Sequence, residues 1–211
     1  MYTTVTTQPK PTETPARNSG SNGVSVAWLN VQSIQRKAMA VYDVLTNQLI
    51  DVFAITETWR TNALMTSAYE RQLLLATLLP MLHVEGTSGG VAVFYLSQYK
   101  CATVNIPPAA MFESLCLTFT TTGGSFVLLT IYRPGSLKTT SAFFDEITAV
   151  LEVLALQHFP VIIGCDLNIH LHDISDPDTV RLTDLLASFG MTQHVSGPTH
   201  RLGGTLDVII K

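Results

Sequence analysis

From Val24 onward, short runs rich in β-branched and aromatic residues alternate with segments whose apolar residues recur at three- and four-residue steps, the pattern of layered α/β structure. The run VSVAWLNV (Val24–Val31) predicts a strand. Ser33 is placed to cap a helix carrying Ile34, Ala38, Val41, Val44, Leu45 and Leu49 on one face, and VFAITET (Val52–Thr58) follows as the next strand. After an ambiguous apolar helix around Ala68–Leu79, the runs GGVAVFYL, SLCLTFT and SFVLLTIYRP predict antiparallel strands, with Gly123-Gly124 as a hairpin turn. A helix from about Ser141 presents Phe144, Ile147, Val150, Leu151 and Leu154, and leads into the strand PVIIGCDLN. The segment Asp178–Phe189 predicts a further helix with Gly190 as its C-terminal cap, and TLDVII starts a last strand. Phe143, Phe144, Leu151, Leu154, Leu185 and Leu186 are core by their helical spacing.

Composition narrows the picture. The 211 residues are 46% hydrophobic and 13% charged, against about a quarter charged in an average domain, yet no run approaches the roughly 18 apolar residues of a membrane span. Residues 1–23, biased to Thr, Pro, Ser and Gly and lacking a signal-peptide core, read as a disordered tail; residues 24–211 read as one domain. Cys101, Cys116 and Cys165 are odd in number and far apart, which argues against a disulfide framework or thiolate zinc site and for an intracellular, reducing setting. The net charge of −4 weighs mildly against a broad DNA-binding surface, but a cation bound by acidic residues reverses the local sign.

Polar residues sit where strands end, and strand ends are where α/β sheets build sites: Asn30, Glu57, Tyr132, Asp166, Asn168 and Asp207. Asp166 and Asn168 are two apart, so a continuing strand would aim both into one site. Carboxylates and carboxamides without sulfur form a hard oxygen set suited to Mg²⁺ or Mn²⁺, with Glu57 and Asn30 as the metal side. Such a set serves phosphoryl chemistry, with Asp166 orienting or deprotonating water and Asn168 bonding a phosphate oxygen. Arg133 and Arg201 lie near enough in sequence to meet phosphate, and Trp59 to reach a base or line the groove, whereas Trp28 is expected to pack under a sheet. His170, His172 and His200 are more naturally loop hydrogen-bonders than catalysts, and Cys165 a small buried filler.

The motifs LNVQS, ITETW, GGVAVFY, IYRPG, GCDLNIH, GPTH and TLDVII occur in this order between Val24 and Lys211. Together they resemble the retrotransposon branch of the endonuclease/exonuclease/phosphatase superfamily. The resemblance implies a four-layer α/β sandwich, two packed mixed sheets flanked by helices, with the last strand or strands missing. It also implies a Mg²⁺-dependent DNA endonuclease that nicks target DNA to prime reverse transcription, with a reverse-transcriptase domain downstream and a nuclear or cytoplasmic location. It places Asn30 and Glu57 on the metal side, Tyr132 by the scissile phosphate, Asp166 and Asn168 as the Asp-x-Asn pair, and Thr199 at the substrate. Asp207 matches the aspartate that orients a catalytic histidine from a later Ser-Asp-His motif, which these residues do not contain. Where the family has glycine before the aspartate, this chain has Cys165. Alternatives are a phosphatase or lipid phosphodiesterase of the same superfamily, or a non-catalytic remnant of such a domain. A chain stopping within β-structure is further expected to expose an open sheet edge and to aggregate.

Overall fold

The computed structural model describes residues 3–4, 23–47, 50–59, 81–84, 89–199 and 204–211. Its strands form two five-stranded mixed sheets. The first runs, in spatial order, β1 (Thr3–Thr4), β2 (Val26–Asn30), β3 (Val52–Thr56), β5 (Val91–Tyr95) and β4 (Met81–Val84). The second runs β10 (Asp207–Ile210), β9 (Val161–Asp166), β8 (Gly124–Tyr132), β7 (Glu113–Thr121) and β6 (Lys100–Thr103). Among the described residues, only β2 with β3 and β8 with β9 pair parallel. The crossover between β2 and β3 is α1 (Ile34–Asn47), that between β8 and β9 is α2 (Ser141–Ala155), and α3 (Pro177–Ser188) precedes β10.

Side-chain alternation explains the layering. Val52 and Ala54 of β3, Val91 and Val93 of β5, Leu115, Leu117 and Phe119 of β7, and Phe126 and Leu128 of β8 share one buried layer between the sheets. Their neighbours Phe53, Ile55, Ala92 and Phe94 face α1, through Ile34, Val41 and Val44. Val127, Leu129 and Ile131 face α2, through Phe143, Ile147, Val150 and Leu151, and Leu182 and Leu186 of α3 join that layer. The sandwich of two mixed sheets with flanking helices agrees with the sequence reading. Leu185 is only half-buried, and Leu182 holds the core position instead.

Some particulars differ. The hairpin turn falls on Thr122-Gly123, and Gly124, at φ +126°, already begins β8. Thr3–Thr4, inside the expected tail, pairs with Trp28 and Ala27 of β2. The outer side of β10 is not open: Thr192 N–H donates to Lys211 O at 2.8 Å, Lys211 N–H to Thr192 O at 3.0 Å, and His194 N–H to Ile209 O at 2.8 Å. The segment after α3 therefore covers the edge on which the aggregation expectation rested. Gly190, at φ +69°, does terminate α3, its N–H bonding Ala187 O while Met191 N–H bonds Leu186 O. The expected helix around Ala68–Leu79 lies outside the described residues, as do His200 and Arg201.

Candidate active site

The inter-sheet layer ends in polar residues at one end, and strand parity puts them there. Asn30 lies two residues past Trp28, Tyr132 four past Leu128, Asp166 two past Gly164, and Asp207 two before Ile209, so all four continue the inter-sheet faces. Register brings them level: Tyr132 pairs with Asp166, and Asp166 with Asp207. Trp28 packs between the sheets rather than beneath one, directly over Gly164, where a Cβ would lie 1.6 Å from its indole nitrogen. Glycine at this position is therefore a condition of bringing β2 against β9 below the site.

Glu57 arrives differently. It lies just beyond β3 at φ +53°, a left-handed conformation that the surroundings must impose on a non-glycine residue. On one side its carbonyl accepts from Ser33 N–H at 2.8 Å and Thr58 O from Ile34 N–H at 3.1 Å, stitching it to the start of α1. On the other, Thr58 N–H donates to Gly90 O at 3.3 Å and Trp59 N–H to Gly89 O at 2.6 Å. Asn30 then ties the two sheets together. Its Nδ2 donates to Glu57 Oε1 and to Asp166 Oδ2, both at 2.7 Å, while its Oδ1 accepts from Gln32 N–H at 3.1 Å.

The electrostatics follow from this crowding of acids. Burial, then the negative charge of Asp207, pushes the Asp166 carboxyl up to about 7, against the opposing pull of its hydrogen bond from Asn30. The Tyr132 hydroxyl, buried and beside Glu57, Asp166 and Glu113, is pushed above its ordinary value, so it stays protonated and acts as a donor. The Glu113 carboxylate accepts from Gly90 N–H, joining β7 to the start of β5. Gly89 packs so closely on the Tyr132 ring that a Cβ there would fall 2.2 Å from it. Cys165 points into the helix-covered layer with its thiol pushed well up by burial, a filler as expected.

Two expectations need correction. Asn168 does not extend the strand: β9 stops at Asp166, and Asn168 turns at φ +51°. Its N–H does not continue the ladder but donates to Asp166 Oδ1 at 3.2 Å, and its Nδ2 donates to Arg133 O at 2.8 Å. It still reaches the same cleft, by a turn rather than by period-two geometry. Arg133, expected at a substrate phosphate, is buried, with its guanidinium donating to the carbonyls of Leu167, Leu137 and Asn168. Its work is to clamp the loop after β9, and it does not line the cleft.

The cleft, about 430 Å³, is walled by Asn30, Glu57, Asp166, Asn168, Thr199 and Asp207, together with Gln32 and Lys37, which the sequence reading missed. Thr199 Oγ1 accepts from the N–H groups of Leu206 and Asp207, each at 3.0 Å, and so fixes the entry to β10. His170 and His172 stack edge to face near Gly204, and His172 Nδ1 accepts from Thr205 N–H; neither lines the cleft. Among the described residues no three His, Cys, Asp or Glu side chains group closely enough to enclose a metal on their own. No described helix is long and apolar enough to cross a membrane.

Similar architectures are known. The catalytic domain of human Nocturnin superposes with a TM-score of 0.60 at 18% identity, over 89% of this chain and 80% of that one. The endonuclease domain of TRAS1, a telomere-specific non-LTR retrotransposon, gives 0.63 at 13% identity, over 88% and 82%. The Neisseria 3′ phosphatase NExo, bound to a product DNA hairpin, gives 0.60 at 14% identity, over 89% and 86%. At such identities these likenesses speak to the fold. No curated protein matches the chain significantly in sequence. The model of the Endonuclease/Exonuclease/phosphatase family, whose members hydrolyse phosphate esters, matches residues 27–210. With nearly all of the described sandwich inside that match, the chain belongs to the Endonuclease/Exonuclease/phosphatase family.

Proposed function

We propose that the chain is a divalent-cation-dependent endonuclease domain of the retrotransposon type, acting on DNA. The observation that carries the reading is the junction of the two sheets: one amide nitrogen, Asn30 Nδ2, holds the carboxylates of Glu57 and Asp166 at 2.7 Å each. The wording of GPTH and TLDVII favours the retrotransposon branch over a phosphatase or lipid phosphodiesterase.

A cation fits these donors. Glu57, Asp166 and Asp207 crowd negative charge at one strand end, which adds to the burial that raises Asp166, and all are hard oxygens. Glu57 and the Asn30 carboxamide would hold Mg²⁺ or Mn²⁺, with water and substrate oxygens completing a shell the protein does not close. The bound ion would neutralise charge developing on the phosphate oxygens. Asp166, raised to about 7, is matched to taking a proton from water near neutral pH. The protonated Tyr132 hydroxyl bonds the Glu57 carboxylate from behind the cleft and would turn to a phosphate oxygen only once a cation holds Glu57, whereas Asn168 keeps a second amide hydrogen for such an oxygen. Thr199 sets the cleft wall, and Asp207 holds the position from which a histidine is oriented in the resembling enzymes. A non-catalytic remnant is the second reading, favoured because no described histidine lines the cleft.

Nicking of supercoiled plasmid with Mg²⁺ decides between them, using this chain, its Asp166→Ala and Glu57→Ala variants, and a version extended after Lys211 by a Ser-Asp-His segment. The expected result is Mg²⁺-dependent nicking, strongest in the extended protein, that falls at least about a hundredfold in both variants. Nicking that survives a chelator or both substitutions overturns the reading, and no nicking by either version favours the remnant.

A further inference from the structure

The chemistry above leaves one residue at the site unused. The protein has two tryptophans, and they are placed oppositely: Trp28 is 7% exposed between the sheets, whereas Trp59 is 59% exposed. A single exposed apolar side chain is ordinary, so the weight falls on whether this indole is held in one place beside the site.

Trp59 is held. Its backbone stands at φ +49°, and its N–H donates to Gly89 O at 2.6 Å. The preceding Thr58 is fully buried, with its hydroxyl donating to Gly89 O at 3.2 Å. The indole N–H donates to Glu57 Oε2 at 3.2 Å, while Asn30 Nδ2 holds Glu57 Oε1 at 2.7 Å. Both oxygens of the cation-side carboxylate are thus oriented, one from inside the cleft and one by the tryptophan. The ring spends its polar edge on Glu57 and keeps its exposure for the remainder. A ring anchored by its edge beside the carboxylate, with open surface above it, offers a stacking partner to something planar next to the scissile phosphate. In a nucleic acid, the planar group adjacent to a phosphodiester is a nucleobase.

We propose that Trp59 is a stacking platform for the nucleobase flanking the scissile phosphate, so that the site takes a strand whose flanking base is unstacked from its neighbours. This rests on the nucleic-acid reading above and adds a substrate feature to it: the base, and not only the phosphate, is bound.

The test uses the full chain with Mg²⁺ and a short single-stranded phosphorothioate oligonucleotide, read by anisotropy of a label on the oligonucleotide and by acrylamide quenching of tryptophan emission. The expected result is that bound oligonucleotide shields the quenchable emission, which comes from Trp59 because Trp28 is buried. Trp59→Ala should weaken binding roughly tenfold, and Trp59→Phe, which keeps a ring, by no more than about threefold. An oligonucleotide carrying abasic positions should bind wild type and Trp59→Ala alike. Binding without shielding, or equal binding of base-bearing oligonucleotide by wild type and Trp59→Ala, overturns the stacking role and leaves the nucleic-acid reading standing. Failure of wild type to bind any oligonucleotide overturns that reading, and the stacking role with it.

Discussion

Two concavities share one wall in this protein, and the larger is the less chemical. The groove bounded by α3 and the segment after it encloses about 790 Å³, against about 430 Å³ for the cleft at the strand ends. Gly197, Pro198 and Thr205 line the groove, and Thr199 and Leu206 line the cleft, so residues 197–199 and 204–206 stand between them. The groove is walled by apolar side chains such as Val180, Leu186, Ala187 and Met191 interspersed with threonines, His172 and Gln193, and it carries a single carboxylate, Asp184. In the cleft, strand parity and pairing register bring Asn30, Asp166 and Asp207 together, and the turns after β3 and β9 add Glu57 and Asn168. What distinguishes a reactive site here is convergence of charge on a buried layer, not volume.

That difference predicts unequal responses to neutralising an acid on each wall. Asp166 is raised from 3.8 to about 7 by burial and then by Asp207, so the folded protein keeps a proton that the unfolded chain has released. Its stabilising protonated form is fully present below about pH 4 and is lost as the pH rises through about 7, a change of about 4 kcal/mol in metal-free buffer. Asp166→Asn should remove this slope in urea melts taken across that range, leaving the variant more stable than wild type above neutral pH. Asp184→Asn, on the groove wall and exposed, should change stability by less than about 0.5 kcal/mol. Equal slopes in wild type and Asp166→Asn would show that the cleft carries no such charge strain.

Two glycines sharpen the contrast at the level of packing. Gly164, beneath the cleft, faces the Trp28 indole with no room for a methyl, so Gly164→Ala must push the sheets or the indole apart and should cost roughly 3 kcal/mol. Gly190, beside the groove, has nothing within 4 Å of an added Cβ and only its φ of +69° to defend, so Gly190→Ala should cost about 1 kcal/mol. Thermal melts of the two variants should rank them in that order, and the reverse order would mean the inter-sheet contact is softer than the geometry shows.

The sequence revealed the site where strands obey their period and hid it where they stop. Asn30, Tyr132, Asp166 and Asp207 lie on regular strands, so alternation alone points them inward. Asn168 was placed by the same rule one turn too far, because nothing in GCDLN announces that the ladder ends at Asp166. Arg133 looked like a phosphate ligand because its three carbonyl partners come from loops whose path pattern does not give. Gln32 and Lys37 were missed because a lysine in the first turn of an amphipathic helix reads as a solvated face; the clue was its closeness to Asn30, which lets the first turn of α1 overhang the same strand end. The four-residue β6 escaped notice because only Cys101 among its residues is even half-buried.

A further substitution tests the shared wall itself. Thr199 is assigned to substrate by resemblance, but its hydroxyl oxygen already accepts two backbone N–H groups, of Leu206 and Asp207. Thr199→Val keeps the shape and leaves both donors without that acceptor, which should cost about 1 to 2 kcal/mol and loosen the approach to Asp207. Thr199→Ser keeps the acceptor and should melt close to wild type. If the role is positioning, Thr199→Ser also keeps wild-type KM and kcat in the nicking assay, while Thr199→Val loses kcat through a misplaced Asp207. If the threonine methyl or hydroxyl meets DNA directly, KM rises with little change in melting, and Thr199 belongs to the substrate rather than to the wall.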